Sequence, residues 1–409
     1  MQNDVLFIQF MSRSRRGYWD LVNGFSDTFD LCRSRGDFHW VEHEPDSARW
    51  YSEETYQGKA LPISRGTVYI SASYINHLYQ ACVWARQYPE IRFVAGGPVA
   101  AQRSAPGEPW EPLYFKIREG ARLPENLEIT GRSVEDFFGV PDFSGAWKLD
   151  IPEDRVSSRD PVYLSYTLDN GCYWGKCIYC NIKEVPKDFF RKREHFDYGF
   201  SRLDHPGKKI VRLNTGSITP AYIRDVFSTL PNRPDLEYRT FMRCSRAENR
   251  ALREVLEKRG SDFPQITLGI GIEFPSDRML GWMNKGITAA DILETLEICA
   301  EYGLHANGNI IFGWENLTED DIREARRFFE NMPENAMTTA QLRWLYAHPH
   351  LEIHEQYRGE PIDLGPFYLG FRADISEEGI AVNREAVAVV ESASREKGFS
   401  IEGLNNMKG

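Results

Sequence analysis

The chain has 409 residues, of which 42% are hydrophobic and 13% aromatic, and its formal net charge is −11. This length exceeds one ordinary domain and suits two or three. The negative charge argues against a nucleic-acid partner. No apolar run reaches the roughly 18 residues of a membrane span, and the first residues lack the pattern of a signal peptide. We therefore expect a cytoplasmic protein with no membrane partner.

Residues 1–110 alternate between strand and helix patterns. Segments 4–10, 67–74 and 91–98 are apolar and rich in β-forming residues, and an amphipathic helix pattern begins at Ile75. A strand, a helix and a strand that ends in a Gly-Gly turn predict a βαβ unit of an open parallel sheet. Ligands of such sheets bind at the carboxyl ends of the strands. The residues that this placement brings to a candidate crevice are Ser71, Ser73, Gly96 and Gly97.

A second series of strand and helix patterns fills residues 160–348. The predicted strands are 163–171, 209–216, 236–244, 266–274, 305–313 and 338–346. Helix starts are indicated where Thr288 and Thr318 each precede an aspartate by three residues. Helix ends are indicated at Gly260 and Gly303. Six β/α units of this kind predict a partial (β/α)6 barrel of the TIM type, open on one side.

The fold class is therefore α/β, with three expected parts. A Rossmann-like open parallel sheet is expected over residues 1–145, and a linker composition covers 145–158. The partial barrel is expected over 158–348. Residues 349–409 form a small C-terminal α/β extension with one strand pattern and one closing helix pattern.

Three of the seven cysteines lie in nine positions. Cys172, Cys177 and Cys180 follow the spacing C-x4-C-x2-C just after the first predicted barrel strand, at the end of a barrel where catalytic groups collect. A structural zinc site needs four ligands, and no second cysteine pair accompanies this loop. Three thiolates in one loop fit an iron–sulfur cubane with one iron left open. The alternative is three buried or coincidental cysteines.

This loop, CYWGKCIYC, resembles that of the radical SAM superfamily, with one residue more in the first spacer than the common C-x3-C-x2-C. The resemblance implies that Cys172, Cys177 and Cys180 hold a [4Fe-4S] cluster. It also implies that the free iron binds S-adenosylmethionine (SAM), which one electron from the cluster cleaves. An external electron donor such as flavodoxin or ferredoxin is implied as a partner.

Further stretches extend the resemblance. GIEFPSDRMLGWMNKGIT at 271–288 and NIIFGWENLTEDD at 309–321 are similar to family patterns of the fourth and fifth barrel strands. The residues that the resemblance assigns to SAM are Tyr179, Gly216, Ser217, Glu273, Lys285, Ile311 and Gly313. Two alternatives stay open: Tyr179 as a core aromatic residue, and Glu273 as the partner of Arg239, Arg243 or Lys285 in a salt bridge.

The first domain resembles the cobalamin-binding domain that often precedes radical SAM barrels. Ser71 and Ser73 stand at its Ser-x-Leu position, and Gly96 and Gly97 match its Gly-Gly turn. The resemblance implies a cobalamin bound there. The family's Asp-x-His-x-x-Gly signature is absent, so that loop supplies no axial histidine. A degenerate domain that has lost cobalamin is the alternative.

These resemblances lead to two competing functions. The first is a cobalamin-dependent methyltransferase that acts on an unactivated carbon of a peptide or small-molecule substrate. The second is a hydrogen-abstracting epimerase or rearrangement enzyme with a vestigial first domain, in which Cys244, at the end of the third barrel strand, donates a hydrogen atom. Cys244 as a small packing residue is the alternative to that role. An iron–sulfur electron carrier is a third hypothesis. The sequence supports it poorly, because an electron carrier needs neither an open iron nor a large barrel.

Overall fold

The computed structural model describes residues 5–13, 19–21, 35–42, 60–100, 111–131, 156–167, 171–182 and 205–403. Within these ranges, no helix is both long enough and apolar enough to cross a membrane. The predicted linker at 145–158 lies almost wholly outside the described residues, so the domain boundaries drawn there stay predictions.

The N-terminal part is built on a parallel sheet. Its strands are β1 (Val5–Arg13), β2 (Trp19–Leu21), β3 (Asp37–Glu42), β4 (Gly66–Ser71), β5 (Ile91–Gly96), β6 (Lys116–Ile117) and β7 (Leu127–Ile129), with helix α1 (Ile75–Gln87) between β4 and β5. The parallel order is β3–β1–β4–β5–β7. The predicted βαβ unit is therefore confirmed as β4–α1–β5. Apolar residues of β1, β4 and β5 pack with α1 into one core, as expected for strands that are covered by other elements.

The second part is a curled half-barrel. Its strands are β8 (Val162–Thr167), β9 (Lys209–Asn214), β10 (Leu236–Met242), β11 (Ile266–Glu273), β12 (His305–Phe312) and β13 (Thr339–Trp344). They pair in parallel in chain order. All six predicted barrel strands are thus confirmed. The helices between them are α2 (Arg246–Arg259), α3 (Asp277–Trp282), α4 (Ala289–Tyr302) and α5 (Glu319–Asn331), together with helical turns at Pro220–Tyr222 and Ile223–Phe227.

Residues 346–402 pack against both the N-terminal part and the half-barrel. They form β14 (Tyr346–Ala347), α6 (Glu352–Gln356), β15 (Pro361–Leu364), β16 (Phe367–Arg372), α7 (Glu377–Lys397) and β17 (Ser400–Glu402). Strand β16 pairs with β14, β15 and β6 in an antiparallel sheet, and β16 side chains join the N-terminal core. Helix α7 packs against α5, and β17 adds a parallel strand beyond β13 that the sequence patterns did not predict.

Strand β2 connects the two sheets. It pairs with the end of β1 in an antiparallel manner and with β8 in parallel, so that one continuous sheet runs from β7 to β17. The N-terminal sheet and the half-barrel are therefore joined through backbone hydrogen bonds as well as through the chain. The carboxyl ends of β8 and β9, which carry the cysteine loop, lie beside this junction in the strand order.

The helix starts predicted at Thr288 and Thr318 are confirmed as capping boxes. At the start of α5, Asp321 is buried and accepts hydrogen bonds from the Thr318 amide and hydroxyl and from the Ser276 hydroxyl, at 2.9, 2.6 and 2.5 Å. Arg278 also donates to this carboxylate. Burial alone would raise the pKa of Asp321, but these donors outweigh burial and lower it.

We expect Asp321→Asn to destabilise the protein by about 2 kcal/mol at neutral pH, because the Arg278 hydrogen bonds lose their charged acceptor. The pKa of Asp321 is lowered in the folded state, so its contribution is complete above the usual carboxyl pKa and is lost as the pH falls through the lowered folded value. Urea unfolding of wild type and variant from pH 7 to pH 3 should therefore converge at the acid end.

Asp291→Asn is the matched control for this prediction. It occupies the same capping position in α4, but its charged partner Arg246 is 82% exposed. A solvated pair contributes less than a buried one, so the loss should be clearly smaller. Equal losses in the two variants would show that the capping box alone carries the effect.

Candidate functional site

The cysteine loop is fastened to the end of the second barrel strand. The Gly216 amide donates to the Gly171 carbonyl at 2.8 Å, and Cys172 pairs with Ser217 in an isolated parallel bridge. A β-carbon on Gly216 would lie 2.5 Å from the Gly171 oxygen, so only glycine permits this approach. Gly216 and Ser217 therefore lie directly beside the cysteine loop, and their assignment to SAM stays a prediction.

The three loop thiols lie close to one another and half-buried. Burial raises the pKa of Cys180 to about 12, and the nearby Cys177 also raises it. Burial likewise raises the pKa of Cys177, against which the Lys285 charge acts. Thiolates are the form that binds metal, so a cation that binds this loop would displace the protons of these thiols. In the described part of the chain, no three His, Cys, Asp or Glu side chains converge as a closed metal site.

A buried ion pair lies next to this loop. Glu273 ends β11 with a φ of 56°, and its carboxylate accepts from the Lys285 ammonium at 2.5 Å. The same ammonium donates to the Tyr179 hydroxyl at 3.2 Å, in the residue that precedes Cys180. Burial would lower the pKa of Lys285, but the Glu273 carboxylate raises it, so the ammonium stays charged. Glu273 thus has the cation partner that the sequence left as its alternative role.

Ser217 is the described site residue with a spare polar group. Its hydroxyl is buried and has no hydrogen-bond partner among the described residues, although its amide donates to the Thr215 side chain. A buried hydroxyl without a partner costs free energy. A ligand with a polar group at this position would remove that cost, and Ser217 adjoins Cys172 across the isolated bridge.

Ile311 and Gly313, which the resemblance assigned to SAM at the end of β12, already have hydrogen-bond partners within the protein. The Ile311 carbonyl accepts from the Trp314 indole at 2.7 Å, and the Gly313 amide donates to the Asn383 side chain at 2.7 Å. Asn383 belongs to α7 and is buried. Ile311 and Gly313 therefore lie at the barrel end as expected, but the Ile311 carbonyl is bound by the Trp314 indole and the Gly313 amide by Asn383 of the C-terminal helix.

Cys244 is fully buried at the end of β10, with a φ of 66°. Its thiol lies 3.8 Å from the Met242 carbonyl and interacts with the Thr295 side chain of α4. Burial raises its pKa to about 11. Full burial agrees with the alternative of a small packing residue, and the hydrogen-donor role of Cys244 stays a prediction.

The four predicted residues of the N-terminal crevice meet at the carboxyl edge of the parallel sheet. Ser71 is the register partner of Gly96, and the Ala72 amide donates to the Gly96 carbonyl at 2.7 Å. Gly97 has a φ of +103°, and a β-carbon there would lie 2.8 Å from the Ala72 oxygen. The Ser73 amide donates to the His77 ring at 3.1 Å. Ser71 and Ser73 are half-buried at this edge.

We expect Gly97→Ala to destabilise the protein by about 2–3 kcal/mol, because alanine meets both an unfavourable φ and the Ala72 backbone. Gly120→Ala is the control, since Gly120 has a φ of +75° with no atom within 4 Å and should cost only about 1 kcal/mol. Thermal unfolding of the two variants tests this. Equal shifts in melting temperature would contradict the close approach at Ala72.

The structure also brings in residues that the sequence did not single out. Tyr114 lies near Cys180, whose charge, together with burial, raises the tyrosine pKa. His348 is close to the backbone of Tyr114 and Leu369, and burial lowers its pKa to about 4. Tyr114 belongs to a segment rich in Pro, Gly and charge, and His348 follows the last barrel strand, so no periodic pattern distinguished either.

Comparisons with known proteins agree with this arrangement. Residues 166–329 match the radical SAM superfamily. An uncharacterised methyltransferase of Pyrococcus horikoshii is 30% identical over 66 residues, which is 16% of this chain and only 14% of that protein.

Two solved proteins share the fold over nearly the whole chain. TsrM, a radical S-adenosylmethionine methyltransferase from Kitasatospora setae solved with cobalamin and a [4Fe-4S] cluster, has a TM-score of 0.58 at 12% identity. That likeness covers 98% of this chain and 91% of TsrM. The cobalamin-dependent SAM radical enzyme OxsB has a TM-score of 0.53 at 11% identity, over 97% of this chain and 61% of OxsB. At such identities the likeness concerns the fold, whereas the superfamily match covers the cysteine loop itself. The chain therefore carries a radical SAM domain over residues 166–329.

Proposed function

We propose that this chain is a radical SAM enzyme, and specifically a cobalamin-dependent methyltransferase that acts on an unactivated carbon of a peptide or small-molecule substrate. The observation that carries the proposal is the pairing of a parallel N-terminal sheet with the half-barrel in one fold, which extends over 98% of the chain in the likeness to TsrM. The hydrogen-abstracting alternative gives the N-terminal sheet no role. The substrate class and the methyl transfer are our inference.

The cysteine loop fits a cluster in its donor set. Cys172, Cys177 and Cys180 would hold three irons, since soft thiolates are the ligands of such clusters. Their half-buried position would limit the access of bulk water to the metal. The buried Lys285 ammonium lies close enough to Cys177 to favour its thiolate form. The Arg243 guanidinium is also near Cys177; burial lowers the arginine pKa, and the negative charge of Cys177 acts against this effect.

The residues assigned to SAM differ in whether their polar groups are free to contact a ligand. The unpartnered Ser217 hydroxyl is the strongest candidate for a ligand contact, and the Gly216 amide ties this strand end to the cysteine loop through the Gly171 carbonyl. Tyr179 and Lys285 would line the same side through the ion pair with Glu273. Ile311 and Gly313 would contribute packing surface, because their carbonyl and amide have internal partners.

The N-terminal crevice would hold cobalamin. The tight Gly96–Gly97 turn and the small half-buried Ser71 and Ser73 leave the sheet edge without large side chains. When bound, the cluster and SAM supply electrons, a radical initiator and methyl groups, and cobalamin supplies a methyl carrier. The protein supplies placement and exclusion of water. An external one-electron donor such as flavodoxin or ferredoxin is part of this proposal.

The test is anaerobic reconstitution of the full chain with iron and sulfide, followed by hydroxocobalamin. We expect a broad cluster absorbance and a separate corrin spectrum that remain together through gel filtration. With reductant, SAM and a candidate substrate, S-adenosylhomocysteine should form. A protein that takes up the cluster, retains no corrin and yields only 5′-deoxyadenosine would contradict the methyltransferase and favour the hydrogen-abstracting alternative. That alternative requires solvent deuterium in the product, and the buried position of Cys244 argues against this thiol as its donor.

A further inference from the structure

The first spacer of the cysteine loop, residues 173–176, is held from one side by a single cation. Arg243, the residue after β10, is 7% exposed, and its guanidinium carbon lies 3.9 Å from the centroid of the Trp174 ring. The same guanidinium donates to the Tyr173 hydroxyl at 3.2 Å. A cation over an indole face at this distance is a favourable contact, and more so when solvent is excluded.

The other side of the guanidinium is fixed to the turn that follows α3. Arg243 donates to the Lys285 carbonyl at 3.2 and 2.8 Å and to the Gly286 carbonyl at 2.9 Å. The Trp174 indole donates to the Asn284 carbonyl of the same turn at 2.8 Å. Arginine suits this role because its planar fork can stack and donate in several directions at once.

The turn leaves no space for a side chain at Gly286. Gly286 has a φ of +67°, and a β-carbon there would lie 2.1 Å from the Trp174 ring and 2.9 Å from the Arg243 guanidinium. The spacer therefore packs against the backbone of Gly286. The same turn carries Lys285, whose ammonium binds Glu273 and Tyr179.

We propose that Trp174 and Arg243 form a spacer clamp, which holds the four-residue spacer of the cysteine loop against residues 284–286 and keeps Cys172 and Cys177 in position to bind the cluster. This inference rests on the proposed function for the cluster itself. Arg243 and Trp174 are positioning residues, since they act through the loop.

The first test needs no metal. In reduced, metal-free protein, iodoacetamide labelling followed by mass spectrometry reports the accessibility of each thiol, and the fully buried Cys82, Cys244 and Cys299 serve as internal references. We expect Gly286→Ala to speed labelling of Cys172 and Cys177 by about tenfold, as local opening replaces the packed loop. Gly303→Ala is the matched control, because Gly303 has nearly the same φ, +66°, with no atom within 4 Å.

The second test uses the reconstituted protein. Residues that support metal ligands cost about 10–100-fold in metal affinity when they are changed, so Gly286→Ala and Arg243→Lys should lose iron to a chelator at least tenfold faster than wild type. Arg246→Lys controls for the loss of an arginine, since Arg246 is 82% exposed. Trp174→Phe, which keeps a ring but loses the bond to Asn284, should give a smaller effect and remains informative if another variant fails to fold.

The outcomes separate the two proposals. A wild-type chain that takes up no iron–sulfur cluster refutes the proposed function, whatever the labelling shows. A wild-type chain that holds the cluster, with labelling and iron loss in Gly286→Ala and Arg243→Lys equal to those of their controls, overturns the clamp alone. Faster labelling and faster iron loss in these two variants, with unchanged labelling of the buried reference thiols, support it.

Discussion

Replacement of any one of Cys172, Cys177 and Cys180 by alanine should abolish SAM cleavage. With two thiolates left in the loop, the cluster loses one of its three protein ligands, and no spare His, Cys, Asp or Glu set converges on the loop in the described part of the chain. We expect iron content and cluster absorbance to fall together with activity. Iron analysis, visible absorption and release of 5′-deoxyadenosine or S-adenosylhomocysteine measure the three effects.

Cys299→Ala is the matched control for this series. Cys299 is fully buried in the barrel core, and burial raises the pKa of its thiol to about 12, so it is an inert packing residue. Its replacement should leave iron content and activity at the wild-type level. Full activity in Cys177→Ala would refute the assignment of the loop as the cluster site.

Lys285→Met should destabilise the protein by about 3–5 kcal/mol, because it leaves the Glu273 carboxylate buried without its counterion. Both side chains are only 9% exposed and their charged atoms lie 2.5 Å apart. The double variant Glu273→Gln with Lys285→Met removes both charges and should recover part of this loss. Urea unfolding of the metal-free proteins gives the four free energies of a double-mutant cycle.

The exposed pair of Arg253 and Glu301 provides the comparison. Its side chains are 36% and 53% exposed, and exposed pairs contribute little to stability, so Arg253→Met should change the unfolding free energy only slightly. A double variant no more stable than Lys285→Met would mean that the loss comes from packing of the lysine stem, and the buried charge would then not explain it.

Much of the fold could be read from local patterns. The six barrel strands, the β4–α1–β5 unit and the capping boxes at Thr288 and Thr318 depend on side-chain periodicity and on short-range hydrogen bonds, both of which are written into neighbouring residues. The short strands β2 and β17 have no such pattern. They exist because a partner strand offers free backbone groups, which only the folded sheet supplies.

The candidate site divides in the same way. Spacing alone identified Cys172, Cys177 and Cys180, because ligands of one compact cluster must lie near one another along a loop. The ion pair of Glu273 joins residues 12 positions apart, and Lys285 contacts Tyr179 across 106 positions. The Gly313 amide binds helix α7 from the end of the chain. These contacts and the burial of Cys244 depend on the folded chain.

The sequence by itself determined that this chain builds a parallel sheet, a half-barrel and a three-cysteine loop with one residue more than the common spacing. Only the tertiary structure decided what the spacer of this loop contacts. The spacer meets Arg243 from the third barrel strand and residues 284–286 beyond the fourth. Contacts between segments so distant in the chain arise from packing at the carboxyl ends of the strands, where no local periodicity records which side chains will meet.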